Sequence, residues 1–116
     1  MRRGCPVEAT LDLVGGKWKG VIVYHLLDGT LRFNELRRRL PTATQRVLIR
    51  QLRELEESGL VIRTVHAQVP PRVDYALSAE GRSLDQLVRA MHAWGQARLE
   101  RIGRTAPSAA GLNRAA

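Results

Sequence analysis

Residues 41–77 read PTATQRVLIRQLRELEESGLVIRTVHAQVPPRVDYAL, and this stretch decides the fold. Its first half predicts a helix over 44–58. With Arg46 set to zero and about 100° per residue, Leu48, Leu52 and Leu55 fall at roughly 200°, 240° and 180°, and Arg50 and Arg53 at roughly 40° and −20°. The leucines and the arginines therefore occupy opposite faces. Thr42 or Thr44 can cap the start, and Ser58-Gly59 supplies the stop. Leu60-Val61-Ile62-Arg63-Thr64-Val65 is β-branched and strand-like, Val69-Pro70-Pro71-Arg72 is a rigid turn, and residues 73–77 alternate as a returning strand. The stretch is thus a helix with one basic face followed directly by a β-hairpin.

Upstream, Asn34 to Arg39 predicts a short helix, with Phe33, Leu36 and Leu40 turned to the core and its end set by Pro41. Thr30-Leu31-Arg32 is an extended link. Residues 17–27 predict a helix with Trp18, Val21, Ile22 and Leu26 on one face, stopped by Asp28-Gly29. Residues 7–14 predict a first helix, opened by Cys5-Pro6 and closed by Gly15-Gly16. Downstream, Ser78 is expected to cap one long final helix carrying Leu84, Leu87, Val88, Met91, Trp94, Leu99 and Ile102. Residues 1–104 read as one domain and 105–116 as a flexible tail.

The whole chain has 116 residues, 44% hydrophobic and 26% charged, a globular balance. Lys+Arg is 19 against Asp+Glu 11, a net charge of +8. That excess suggests a polyanionic partner. It concentrates between residues 31 and 72, where nine arginines face four glutamates. Arginine's planar fork grips phosphate and the guanine edge in bidentate fashion. Local ion pairs such as Arg50 with Glu54 or Arg53 with Glu57 are available, but these acids cluster towards the C-terminal end of their helix.

A helix, a short turn, an arginine-faced helix and a two-stranded hairpin form the layout of a winged helix-turn-helix, an α+β and mostly helical fold. The second helix of such a pair places its N-terminal residues against base edges in the major groove. Those residues are Thr44, Gln45, Arg46 and Arg50. Glutamine reads adenine and arginine reads guanine through paired hydrogen bonds. Arg37, Arg38, Arg39 and Thr42 are placed for the phosphate backbone, and Arg72, beside two prolines, for a wing contact.

Several classes drop out. No apolar run reaches the roughly 18 residues of a transmembrane helix, the N-terminal residues are not expected to be a signal peptide, and a cytoplasmic location is expected. One cysteine excludes an intramolecular disulfide framework, and His25, His66 and His92 lack ligand spacing, so neither a metal nor a cofactor is expected. There is no phosphate-binding glycine loop and no catalytic constellation, so an enzyme is not expected. The serious rival to a sequence-specific regulator is an architectural, nucleoid-type protein that uses the same basic face without base preference.

Cys5-Pro6-Val7-Glu8, Gly15-Gly16-Lys17-Trp18, Arg32-Phe33-Asn34-Glu35-Leu36, Leu52-Arg53-Glu54-Leu55-Glu56, Gly59-Leu60-Val61, Val69-Pro70-Pro71-Arg72-Val73 and Tyr75-Ala76-Leu77-Ser78 resemble, in order and spacing, the HxlR-type winged-helix transcriptional regulators related to the MarR group. The resemblance runs from Cys5 to about Trp94. It implies a bacterial, homodimeric, DNA-binding repressor or activator whose N- and C-terminal helices, here 7–14 and 80–104, make the dimer. The long apolar stripe of the final helix supports the same expectation, with Leu84, Leu87, Val88, Met91 and Trp94 at the interface; packing within one chain is the alternative. A palindromic operator follows from a two-fold dimer. Thr42 and Ala43 stand where family members often carry Gly and Ile, and Ile49 where a polar residue is common, so the operator sequence does not transfer.

Cys5 precedes a helix start, whose positive end favours a thiolate, while Glu8 opposes it. The resemblance implies that such a cysteine can sense oxidants or electrophiles. With no second cysteine, any disulfide joins two subunits or a small thiol. A buried structural cysteine is the alternative. A small-molecule effector is the other signal considered, and Met91, His92 and Trp94 are either pocket lining or core packing.

Overall fold

The computed structural model describes residues 4–103. Arg2, Arg3 and the expected tail at 105–116 lie outside these residues. The elements run α1 (Pro6–Val14), α2 (Lys19–Leu26), β1 (Leu31–Arg32), α3 (Phe33–Arg39), α4 (Gln45–Glu57), β2 (Val61–His66), β3 (Arg72–Leu77), α5 (Ala79–Arg82) and α6 (Asp85–Arg101). Two compact units result, one up to Asp85 and one from Gln86 onward.

The core of the first unit is built by short apolar periods converging from several elements. Ile22, Val23 and Leu26 of α2, Leu36 of α3, Leu48, Leu52 and Leu55 of α4, and Leu60 are essentially fully buried. Truncating any of these leucines to alanine would cost about 2–5 kcal/mol, because transfer and cavity terms add. The buried face of α2 is therefore Ile22, Val23 and Leu26. Val21, expected on that face, is exposed, and Trp18 is half-buried at the N-cap.

Each helix of the central pair begins with its own polar device. The Glu35 carboxylate accepts from the Arg32 N–H at 2.8 Å, and the Thr44 hydroxyl accepts from the Val47 N–H at 3.1 Å, so Thr44 and not Thr42 caps α4. The end of α4 is a Schellman turn. Gly59, at φ 84, lets its N–H reach the Glu56 carbonyl at 3.0 Å and the Leu60 N–H reach the Leu55 carbonyl at 3.0 Å. This turn fixes the direction in which the chain leaves α4 and enters β2.

The hairpin β2–β3 is antiparallel, in a register that puts Val61 opposite Leu77 and Arg63 opposite Tyr75. The extended link before α3 is more than a link. Leu31 and Arg32 pair with Tyr75 and Asp74, so the sheet has three strands in the order β1-β3-β2. Two residues carry too short a period to announce a strand; β3 supplies the partner.

The single final helix expected from Ser78 is divided. The Ser78 hydroxyl donates to the Gly59 carbonyl at 2.6 Å and accepts from the Gly81 N–H at 3.0 Å, starting α5. After one turn the bonding tightens, with Leu84 N–H reaching the Gly81 carbonyl at 3.1 Å. The chain passes through a turn at Ser83-Leu84 before α6 starts at Asp85. Gly81 is held against the sheet end: a Cβ there would stand 2.2 Å from the Leu60 carbonyl oxygen. That close approach, and the bonds from Ser78, pin α5 to the α4–β2 turn.

Candidate nucleic-acid interface

α3 and α4, joined by the Pro41–Ala43 turn, form the helix-turn-helix, with β2 and β3 as the wing. The leucine stripe of α4 fixes its rotation. Burying Leu48, Leu52 and Leu55 turns Gln45, Arg46, Ile49, Arg50 and Arg53 outward, and these five line a shallow concavity on the outer face. Thr44, the cap, is also exposed. The base-contact candidates Thr44, Gln45, Arg46 and Arg50 thus lie together at the N-terminal half of α4. Arg53 extends the same stripe, as the helical wheel places it.

One acid of α4, Glu54, bonds away from this face. Glu54 turns to α2, where Lys19 Nζ lies 2.8 Å from its Oε1. The hydrogen bond from Lys19, and then its charge, hold the Glu54 carboxyl below its ordinary value, with a smaller push from Arg50. The available Arg50–Glu54 pair does not form, and this longer-range pair stands in its place. Among the described residues, Arg46, Arg50 and Arg53 form no ion pair with a carboxylate.

Arg37, Arg38 and Arg39 are exposed over the last turn of α3, where cations complement the negative helix end. Thr42 is exposed on the turn. Arg39 also acts inward: burial lowers the His25 pKa from its ordinary 6.5, the Arg39 charge lowers it further, and Asp28 opposes both. Arg38 shares a second cleft with Arg32, Pro70, Pro71 and Arg72, between the start of α3 and the wing loop.

Arg72 is not free at the hairpin tip. It begins β3, half-buried, with Nε 3.4 Å from Asp74 Oδ1, an ion pair by distance that lacks hydrogen-bond geometry. Asp74 also has its Oδ2 2.9 Å from His66 Nε2. His66 lies opposite Arg72 in the register, so the three side chains form one cluster near the end of the wing strands. Arg63, on β2 opposite Tyr75, faces α4 across a cleft. Nothing in the local sequence pattern singled it out, because its role depends on a helix it does not adjoin in sequence.

Cys5 is exposed, not buried, and caps α1 with Sγ accepting from the Val7 N–H at 3.4 Å. The dimer candidates separate by burial: Val88 is buried and Leu84 half-buried, whereas Leu87, Met91 and Trp94 are exposed. Core packing for Met91 and Trp94 is thereby overturned; Trp94 is 67% exposed. On α1, Val7 and Leu11 are exposed apolar residues. Among the described residues no group of His, Cys, Asp and Glu could hold a metal, and no helix is long and apolar enough to cross a membrane.

The family model described as HxlR-like helix-turn-helix matches residues 13–103. Among curated relatives, the chain is 54% identical over 99 residues to the uncharacterized HTH-type transcriptional regulator YdeP of Bacillus subtilis (strain 168), covering 85% of this chain and 77% of that protein. It is 56% identical over 95 residues to YybR of the same organism, similarly described, covering 82% and 76%. Among solved structures, the redox regulator HypR in its oxidized form superposes with a TM-score of 0.77 at 56% identity, covering 80% of this chain and 96% of that one. With a winged helix-turn-helix built from its own leucine stripe and caps, and relatives of this closeness, the chain belongs to the HxlR-like helix-turn-helix family of DNA-binding transcriptional regulators.

Proposed function

We propose that this protein is a cytoplasmic, dimeric, sequence-specific repressor that reads a palindromic operator. The observation that carries the reading is the cation stripe of Arg46, Arg50 and Arg53 on the exposed face of α4, none of them ion-paired to a carboxylate among the described residues, with Glu54 bonded to Lys19 instead. Gln45, Arg46 and Arg50, with the cap Thr44, read bases. Arg37, Arg38, Arg39, Thr42 and Arg72 hold the backbone. Residues 1–104 act as the DNA-binding and dimerising domain. The exposed apolar residues Leu87, Met91 and Trp94 on α6, and Val7 and Leu11 on α1, support a second copy as the cover for these helices.

The input signal is oxidation of Cys5. Its exposure at a helix N-cap and the likeness to a redox regulator support this reading. Oxidation joins the two Cys5 thiols of a dimer, or one Cys5 and a small thiol, through a disulfide; the oxidant accepts two electrons and the thiols release two protons.

Selection from random duplex DNA at physiological salt tests the reading, first with reductant and then after mild peroxide treatment. A palindromic site, preferred over competitor DNA by about 10³ or more, is expected. Its loss after oxidation in the wild type, but not in Cys5→Ser, would support the thiol input. No enriched site would favour the architectural, sequence-independent alternative.

A further inference from the structure

Between Leu60 and Leu77 the chain carries a single acid, Asp74, beside Arg63, His66 and Arg72. The strand register decides which of these share a sheet face with it, because directly paired residues point the same way. Thr64 lies opposite Asp74 on β2, and His66 lies opposite Arg72. Arg32 of β1 lies opposite Asp74 on the other side. His66, Arg72, Arg32 and Asp74 therefore occupy one face, and Arg63, one residue out of phase, occupies the other. From α3, Glu35 and Arg38 line the same cleft as Arg32 and Arg72.

Asp74 does not serve its two neighbours equally. Its Oδ2 lies 2.9 Å from His66 Nε2 in hydrogen-bond geometry. Its Oδ1 and Arg72 Nε are 3.4 Å apart, and both atoms are buried without a hydrogen-bond partner. An ionised carboxylate only accepts, so a neutral His66 must carry its proton on Nε2 and leave Nδ1 bare. A second proton then goes to Nδ1 and turns the existing contact into a charge-assisted bond without moving it. The His66 side chain is 35% exposed and open to solvent protons, whereas Asp74, at 16%, is largely covered.

Asp74 offsets the charge of Arg72 while His66 is neutral; with His66 protonated, the three carry one net positive charge. We propose that His66 is a proton-dependent positioning residue for the wing: protonated, it takes up the Asp74 charge and frees Arg72 for a DNA phosphate. Histidine ordinarily changes charge between about pH 5 and 8. The contact that must yield is the poorly made one between Arg72 and Asp74. Phosphate binding and His66 protonation favour each other by the same factor, since linkage is reciprocal. Acid therefore strengthens DNA binding through the wing. This rests on Arg72 as a backbone contact and needs no particular operator.

The test is fluorescence anisotropy of the full-length protein with a labelled duplex of mixed sequence, at fixed ionic strength, because a backbone contact carries no sequence information. The series runs from about pH 5.5 to about pH 8, across the ordinary histidine range. Wild-type affinity should rise about fivefold on acidification, the Coulomb effect of one exposed charge beside a phosphate. The salt slope at the acid end should be steeper by up to about one unit. His66→Gln keeps a donor for Asp74 but takes no charge, and should lose the pH response. Arg72→Gln should bind more weakly and also lose the response, since His66 acts through Arg72. Asp74→Asn, which removes the charge being shared, should bind at the alkaline end at least as tightly as the wild type binds at the acid end. His25→Gln and His92→Gln should keep the wild-type response, and circular dichroism at both ends of the series checks that every variant is folded. A response that survives in His66→Gln would assign the proton to another group and overturn the proposal. One that survives in Arg72→Gln would put His66 itself against the DNA and overturn its positioning role. Wild-type binding that ignores pH would overturn the proposal and leave DNA binding standing, whereas no binding at any pH would defeat both.

Discussion

Lys19 Nζ on α2 and Glu54 Oε1 on α4 stand 2.8 Å apart, so the acid one helical turn from Arg50 forms its ion pair with α2. The carboxyl that could have made a local bridge to Arg50 is used to tie two helices together. Arg46, Arg50 and Arg53 stay exposed on the outer face of α4 without an ion pair among the described residues.

Glu54 contributes acid-side stability. Its folded pKa is lowered by the Lys19 hydrogen bond and charge, so the contribution is present above the ordinary carboxylate range and is lost as pH falls through the folded value. Urea midpoints measured from about pH 3 to 7 should fall on acidification, and Glu54→Gln should flatten part of that fall. An unchanged slope in the variant would mean the pair is too solvent-screened to matter.

His25 acts over a different window. Burial, aided by Arg39, lowers its folded pKa below 6.5. The unfolded chain therefore binds more protons, and stability rises with pH up to about the unfolded histidine value. His25→Gln should remove that slope in the range just below about pH 6.5. The same urea series reads this, and a slope that persists in the variant would assign it to another group.

Arg46 and Arg72 should differ in kind. Arg46→Ala is expected to lose about 1–3 kcal/mol of discrimination at one base pair of the selected site. Arg72→Ala should weaken binding to all sequences alike and reduce the salt slope by about one unit. Affinities for the site and single-base variants at several salt concentrations separate the two. Unchanged base preference in Arg46→Ala would sink the groove assignment.

Gly81→Ala should destabilise the protein by about 1–3 kcal/mol or more, through overpacking. The added Cβ would meet the Leu60 carbonyl oxygen at 2.2 Å, and that atom belongs to backbone that cannot rotate away. The exposed neighbour Glu80→Ala should stay within about 0.5 kcal/mol. Denaturant unfolding of both variants checks this, and equal stabilities would mean that α5 readily lifts from the sheet end.

Trp94→Glu should convert a dimer to a monomer in sedimentation equilibrium, because it places a charge on an exposed apolar helix face. The exposed Gln96 on the same helix, changed to Glu, is the control and should leave the association state unchanged. A dimeric Trp94→Glu would move the interface elsewhere.

What the sequence determined by itself is what local interactions encode. The opposed leucine and arginine stripes of α4, its threonine cap, the Ser58-Gly59 stop and the hairpin that follows depend on neighbours three or four positions away or on the conformational preference of one residue. From them the winged helix-turn-helix and the outward-facing residues of α4 were legible. Only the tertiary structure decided features whose partners lie far along the chain. β1 is a strand because β3 accepts it. The expected last helix breaks at Ser83-Leu84, after Ser78 and Gly81 bond and pack against residues 59 and 60. Glu54 pairs with Lys19 because α2 crosses beside it, and Arg72 is held by Asp74 because β-pairing sets its place. The cleft that Arg53 and Arg63 both line belongs to the same class, because it exists only once the wing has folded beside α4. Periodicity fixes which face of a helix turns outward; only packing fixes what that face confronts.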